Sequence, residues 1–124
     1  MNNIIIRTTS QKPIYQQLYE QISSQILNGD LTSDTLLPSI RTTAKELRIS
    51  IITIKKAWEI LERNGYIYTV AGKGSYVKKN TKATLDKKKI QVIKKDLEDS
   101  ILLSKSIGIS KEDLQELIND LYDN

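Results

Sequence analysis

Two helix starts stand close together in the middle of this chain, and they constrain its fold more than any other feature. Leu37-Pro38-Ser39 opens the first, with Ser39 as N-cap and Ala44 and Leu47 on the side to be buried, and it ends near Arg48. Ser50 caps the second, where Ile54, Ala57, Trp58 and Leu61 recur at helical spacing until Asn64-Gly65 closes the element. A serine hydroxyl satisfies a first-turn amide that has no partner inside the helix, so each serine begins a new helix rather than extending the old one. Two helices joined by about three residues, each with its own cap, make a helix-turn-helix. With Ile54, Ala57 and Leu61 facing inward, Ile52, Lys55, Lys56, Glu59 and Arg63 fall around the rest of the cylinder, and its exposed start is basic.

The flanking segments complete a small domain. Pro13-Ile14 opens an earlier helix carrying Ile14, Leu18, Ile22 and Ile26 on one side with Tyr15 and Tyr19 beside them, and Asn28-Gly29-Asp30 stops it. After the second capped helix, Tyr66–Val70 and Ser75–Val77 are β-prone runs joined by Ala71-Gly72-Lys73-Gly74, whose glycines supply the positive φ angles of a tight hairpin. The hairpin reads as a two-stranded wing with Lys73 at its tip. From there a lysine side chain can enter an adjacent minor groove, where cations sense a negative potential; the alternative is a solvated turn lysine. Lys78–Lys82 has no apolar anchor and reads as a linker. Ile90, Ile93, Leu97 and Ile101 then define a stripe on a helix of about 17 residues, widened by Leu102 and Leu103. Ile107-Gly108-Ile109 is a turn, and Ser110 with Asp113 resembles a capping box that opens a last helix carrying Leu114, Leu117, Ile118 and Leu121.

Composition narrows the chemistry. The 124 residues contain no Cys and no His, which removes Cys/His zinc sites, thiol nucleophiles, Ser-His-Asp triads and disulfides. No catalytic, metal or cofactor constellation is found, and an enzyme is not expected. Asp96, Glu98, Asp99, Asp120 and Asp123 are either a hard-cation shell or a solvated face that keeps this region away from phosphates. Only Ile4-Ile5-Ile6 is continuously apolar near the start, and no later run approaches the roughly 20 residues of a membrane span, so a cytoplasmic protein is expected. A chain of this length buries a modest core, and a second copy is a natural way to cover leftover apolar surface.

The net charge of +4 hides a segregation. Residues 1–80 hold 11 Lys+Arg against 6 Asp+Glu, a balance of +5, while residues 81–124 hold 8 against 9, a balance of −1. Within the second part, Thr81–Lys95 has six lysines against Asp86, and Asp96–Asn124 has two lysines against eight acids. Such a basic first part fits a polyanion such as nucleic acid, whose condensed counterions are released on binding. A lysine-rich surface that merely keeps the chain soluble fits the charge equally well.

The ordered set Pro13-Ile14-Tyr15-x-Gln17, Leu37-Pro38-Ser39-x-Arg41, Ser50-x-x-Thr53-Ile54-Lys55-Lys56-Ala57, Asn64-Gly65-Tyr66-Ile67 and Gly72-Lys73-Gly74-Ser75-Tyr76-Val77 resembles the winged-helix DNA-binding domain of the GntR family of bacterial transcriptional regulators. The region beyond the wing is too short for the effector-binding or aminotransferase-like regions of other branches, so the chain resembles the short-tailed YtrA subfamily. That resemblance implies dimerisation through two C-terminal helices, and an association with transporter operons. It implies that Ser39 and Arg41 at the second helix, Ser50, Ile52, Thr53, Lys55 and Lys56 on the recognition helix, and Gly72 and Lys73 at the wing contact DNA. Ser39 and Ser50 can cap and contact phosphate at once. Many family members carry Arg directly after the residue matching Ser50. Here Ile51 and Ile52 stand in that region, which replaces a bidentate grip on guanine by apolar contact with a thymine methyl and leans the preference toward A·T.

The expected fold is therefore mainly α with a small β-hairpin: a winged helix-turn-helix DNA-binding domain over residues 1–80, then a two-helix α-helical dimerisation arm over 81–124 built on Ile90, Ile93, Leu97, Ile101, Leu114, Leu117, Ile118 and Leu121. The expected partners are double-stranded DNA bearing a pseudo-palindromic operator and a second copy of the chain, with no cofactor and no membrane. Packing of the arm onto its own winged helix is the alternative to dimerisation, and a protein-interaction module without a DNA role is the alternative to regulation.

Overall fold

The computed structural model describes Met1 and residues 3–124. In chain order the elements are α1 (Ile14–Leu27), α2 (Ile40–Leu47), α3 (Ile51–Arg63), the hairpin strands β1 (Ile67–Val70) and β2 (Gly74–Val77), α4 (Lys82–Ile107) and α5 (Lys111–Tyr122). They form two compact units, Met1–Lys82 and Ala83–Asn124. The fold is mainly helical with one small hairpin, as the sequence predicts.

In the first unit α1 packs on α3, which also carries α2 and β1. Leu18 and Ile22 of α1 and Ile54 and Leu61 of α3 are completely buried, and Trp58 and Ala57 join them in the same core. Each such aliphatic side chain contributes roughly 1.5–3 kcal/mol by leaving water, so this pairing dominates the unit's stability. Asn28 ends α1, Gly29 takes φ +89°, and Leu31 turns back to donate its amide to the Gln25 carbonyl and to bury its own side chain. Between α2 and α3, Arg48 occupies the left-handed region at φ 56°, a conformation glycine would adopt without steric cost, and the Ile49 amide reaches the Ala44 carbonyl at 2.9 Å.

Several local features differ from the sequence reading. The stretch before α2 is more than a loop: Asp34 donates its amide to the Val77 carbonyl, Val77 donates to Thr35, and Leu37 donates to Ser75, so this segment lies along β2 as a third extended chain. It is too short to show a two-residue alternation, which is why its sequence looks irregular. An N-terminal arm is also laid along α1. Gln21 both accepts the Ile5 amide and donates to the Ile5 carbonyl, while Gln17 accepts from Arg7 and donates to the carbonyls of Arg7 and Lys12. The two glutamines thus satisfy an extended backbone as a neighbouring strand would, and Ile4 and Ile6 pack onto the core.

In the second unit, α4 is 26 residues long rather than about 17, and it begins at Lys82, inside the stretch read as a linker. Lys, Ala and Leu at its start favour helix without offering an apolar face, so apolar periodicity alone underestimates the element. Gly108 at φ +80° ends it, with the Ile109 amide bonded to the Ser104 carbonyl, and Ser110 accepts from the Asp113 amide to start α5. No helix of the described residues is long and apolar enough to cross a membrane.

Tyr66, just after α3, is buried with its ring edge-on to Tyr19 at 6.0 Å, and burial together with Tyr19 pushes its phenol up to about 12. A phenol whose pKa is raised on folding stabilises the protein fully below about pH 10, and that contribution is lost as pH rises through about 12. Wild-type stability in urea should therefore fall between about pH 9 and about pH 11 by on the order of 1 kcal/mol more than that of Tyr66→Phe. Parallel declines in the two proteins would contradict the assignment.

Candidate nucleic-acid interface

The start of α3 is shaped by its cap. Ser50 Oγ accepts the Thr53 amide at 3.2 Å and lies 2.7 Å from the Thr53 hydroxyl, so the two hydroxyls are joined. The Ile51 and Ile52 amides are left without intrahelical partners, pointing along the positive end of the helix dipole. Ser39 does the same for α2, accepting the Thr42 amide at 3.0 Å and donating its own proton to the Thr42 hydroxyl. Both serines are caps first. Each offers an anion the pair of backbone amides next to it in the chain.

The outer face of α3 is unusual for a helix of a small domain. Ile52 is 80% exposed and Ile51 44%, beside the exposed Lys55 and Glu59, while Ile54, Ala57, Trp58 and Leu61 face the core. Arg41 on α2 is exposed and forms no ion pair among the described residues, and the same holds for Lys55 and Lys73. Lys56 differs. Its ammonium sits 3.9 Å from the centroid of the Tyr15 ring on α1, a cation-π contact that ties α3 to α1.

The wing is braced from two sides. Thr69 on β1 donates its amide to Glu62 of α3 at 3.2 Å and its hydroxyl lies 2.9 Å from that of Ser75 on β2. On the other side, Tyr68 stacks on Tyr76 at 5.4 Å and donates its hydroxyl to Asp34, a bond that raises the Tyr68 pKa. The register pairs Ile67 with Val77 and Val70 with Gly74. At the tip the Lys73 amide closes onto the Val70 carbonyl at 3.0 Å, and Gly72 supplies φ +75° at the third position of the turn. Gly74, at φ +122°, would bring a β-carbon to 3.2 Å from Leu36 Cδ1. Lys73 is thus carried on a short, stiff turn. Glu62 and Asp34 position the wing, and the sequence reading overlooks both, since a lone exposed acid gives no local signal of its partner.

In the second unit Leu114 is half-buried between α4 and α5, whereas Ile90, Ile93, Leu97, Ile101, Leu117, Ile118 and Leu121 are all exposed, at 39–68%. Leu97, Ile101, Ile109, Leu114 and Ile118 line an apolar groove of about 340 Å³. The acids of this unit do not converge: among the described residues no three Asp or Glu side chains are placed to hold a metal ion, so the cation-shell alternative has no support in the geometry.

Residues 14–77 match the family described as "Bacterial regulatory proteins, gntR family". The chain is 35% identical over 118 residues to the HTH-type transcriptional repressor YtrA of Bacillus subtilis, an alignment covering 95% of this chain and 91% of that protein. Among solved structures, a GntR family transcriptional regulator from Listeria monocytogenes superposes with a TM-score of 0.75 at 30% identity, covering 90% of this chain and 96% of the other. The DNA-binding domain of AraR, solved in complex with an operator, superposes with a TM-score of 0.54 at 29% identity over 60% of this chain and 94% of its own. The likeness to YtrA extends over nearly the whole chain, whereas that to AraR covers little more than the share taken up by the winged helix. On this combined ground of fold, matched segment and relatives, the chain belongs to the GntR family as a DNA-binding transcriptional regulator, not an enzyme, of the short-tailed YtrA type.

Proposed function

We propose that the chain acts as a homodimeric repressor that grips an inverted-repeat operator, each subunit laying α3 in a major groove and the wing tip in the neighbouring minor groove. Arg41 and the amides next to Ser39 and Ser50 hold phosphates. Ile52, Thr53 and Lys55 face base edges, with Ile52 favouring a thymine methyl, and Lys73 on the Gly72 turn enters the minor groove. Lys56 contributes through its grip on Tyr15, which fixes the tilt of α3, as well as through its charge. The AraR domain bound to operator supports this assignment of roles by likeness of fold.

The observation that carries the dimer is the apolar stripe of the second unit, which α4 and α5 leave uncovered. Burying three or four of those side chains per subunit contributes on the order of 5–10 kcal/mol, which is set against the entropic cost of association. A two-fold pair reads a palindrome only if its half-sites lie about one helical turn, roughly 34 Å, apart or a multiple of that, so the arm sets operator spacing. The regulated genes on this reading are a transporter operon, as the subfamily resemblance suggests.

Lys73→Ala is expected to weaken duplex binding by roughly 3–10-fold per wing and to make the salt dependence of the dimer shallower by about 1.8 units, near 0.9 for each of its two wings, with the sedimentation coefficient unchanged. Leu97→Asp is expected to give a folded monomer whose operator affinity drops by about 100-fold or more, because bivalency is lost. A dimer that survives Leu97→Asp in analytical ultracentrifugation would refute the arm as the dimer interface.

A further inference from the structure

We propose that Glu62 is the positioning residue of the wing in DNA binding: by holding Thr69 it makes the direction of Lys73 follow the outer face of α3, a use that accounts for an acid on that face. The proposal rests on the reading of Lys73 as a minor-groove contact and names the residue through which α3 aims it.

The sign of the charge is the first observation. Seven residues make almost two full turns, so Glu62 lies on the same line of α3 as Lys55, with Glu59 between them in the chain and Ile51 and Ile52 at the start of that face. Glu59 and Glu62 are both exposed. A carboxylate within about a Debye length, roughly 10 Å, of a duplex backbone is repelled by its phosphates, so on this face each acid lowers DNA affinity through its charge.

The second observation is that the two acids differ in what they hold. Among the described residues Glu59 forms no hydrogen bond or ion pair. Glu62 accepts the Thr69 amide at 3.2 Å through Oε1 and the Thr69 hydroxyl at 3.4 Å through Oε2.

The place of Thr69 in the hairpin supplies the third. Thr69 stands opposite Ser75, and its amide goes to α3 rather than to β2, so Glu62 satisfies a donor on the edge of β1 that no other strand covers. With its proton on Glu62, the Thr69 hydroxyl accepts from the hydroxyl of the buried Ser75 at 2.9 Å, which joins the carboxylate to both strands. One residue further on, the Val70 carbonyl accepts the Lys73 amide at 3.0 Å and closes the turn that carries Lys73. The Tyr68 hydroxyl on Asp34 and the Leu37 amide on the Ser75 carbonyl tie the hairpin to the segment before α2. The bonds to Glu62 tie it to α3 itself, close to the tip, so the wing turns with the helix whose outer face carries Ile52 and Lys55.

The test uses the full chain and a fluorescent random-sequence duplex of about 40 base pairs at about 50 mM salt. Glu59→Ala should bind about 2-fold more tightly per subunit than the parent, as the loss of an acid alone dictates. Glu62→Ala loses the same charge and should nevertheless bind about 3-fold more weakly per subunit, a loss bounded by that of Lys73→Ala. Glu62→Gln keeps an acceptor for Thr69 without the charge and should bind at least as tightly as the parent. In a Lys73→Ala background, Glu62→Ala should lower affinity no further, because the group it aims is gone. Three results overturn the proposal while leaving the reading of Lys73 intact: Glu62→Ala binding at least as tightly as the parent while Lys73→Ala is weakened, Glu62→Gln binding as weakly as Glu62→Ala, or an equal loss from Glu62→Ala with and without Lys73. If Lys73→Ala binds as the parent does, the wing contact and the role of Glu62 fail together.

Discussion

The α1–α3 contact is the constraint on which the rest of the molecule depends. Leu18 and Ile22 close on Ile54 and Leu61 with no solvent access, so the rotation of α3 about its own axis is set by which residues are apolar. Once that face is buried, Ile51, Ile52 and Lys55 have nowhere to go but outward. Lys56 over Tyr15 and Asn64 donating to the Tyr19 hydroxyl fasten the same pair of helices, and Glu62 passes the orientation on to β1. A reading head needs this rigidity, because a base contact formed by a loosely held helix loses in ordering entropy what it gains in hydrogen bonds.

Much of this is legible in the residues. The caps Ser39, Ser50 and Ser110 each accept the amide their spacing implies, because capping is a local interaction decided within one helical turn. The core faces of α1 and α3 follow from periodicity, since both helices have one buried and one solvated side. The features that escape are non-local or aperiodic. The pairing of Asp34–Leu37 with β2 depends on backbone groups that any sequence carries. The clamp of Gln17 and Gln21 on the N-terminal arm needs partners whose position only the folded chain reveals. The early start of α4 rests on propensity without a burial signal. For the interface, the sequence already offers the free amides at the helix starts beside Ser39 and Ser50 to phosphate, and the capping geometry of both serines agrees with that use. It also assigns Lys56 to DNA alone, although the side chain has a structural partner in Tyr15.

The two units divide the physical work. The first is basic and well filled, its large apolar side chains mostly taken up by its own core, with the isoleucines at the start of α3 as the main exception. The second has an uncovered apolar stripe, only Leu85 and Leu114 half-buried among its described leucines, and an abrupt change of charge sign along α4. In the proposed dimer, a second copy supplies the burial that the small core lacks. Affinity for DNA would then come from two modest heads acting together, with phosphate contacts giving strength and the exposed face of α3 giving the choice of sequence.

Selection of binding sites from a random-sequence duplex pool by the full-length chain, with the number of subunits bound per selected duplex then determined, tests this account most directly. The expected result is an inverted repeat, A·T-leaning at the step facing Ile52, whose half-sites are about one helical turn apart and which holds two subunits. Enrichment of a single unrepeated half-site carrying one subunit, or no enrichment at all, would contradict it.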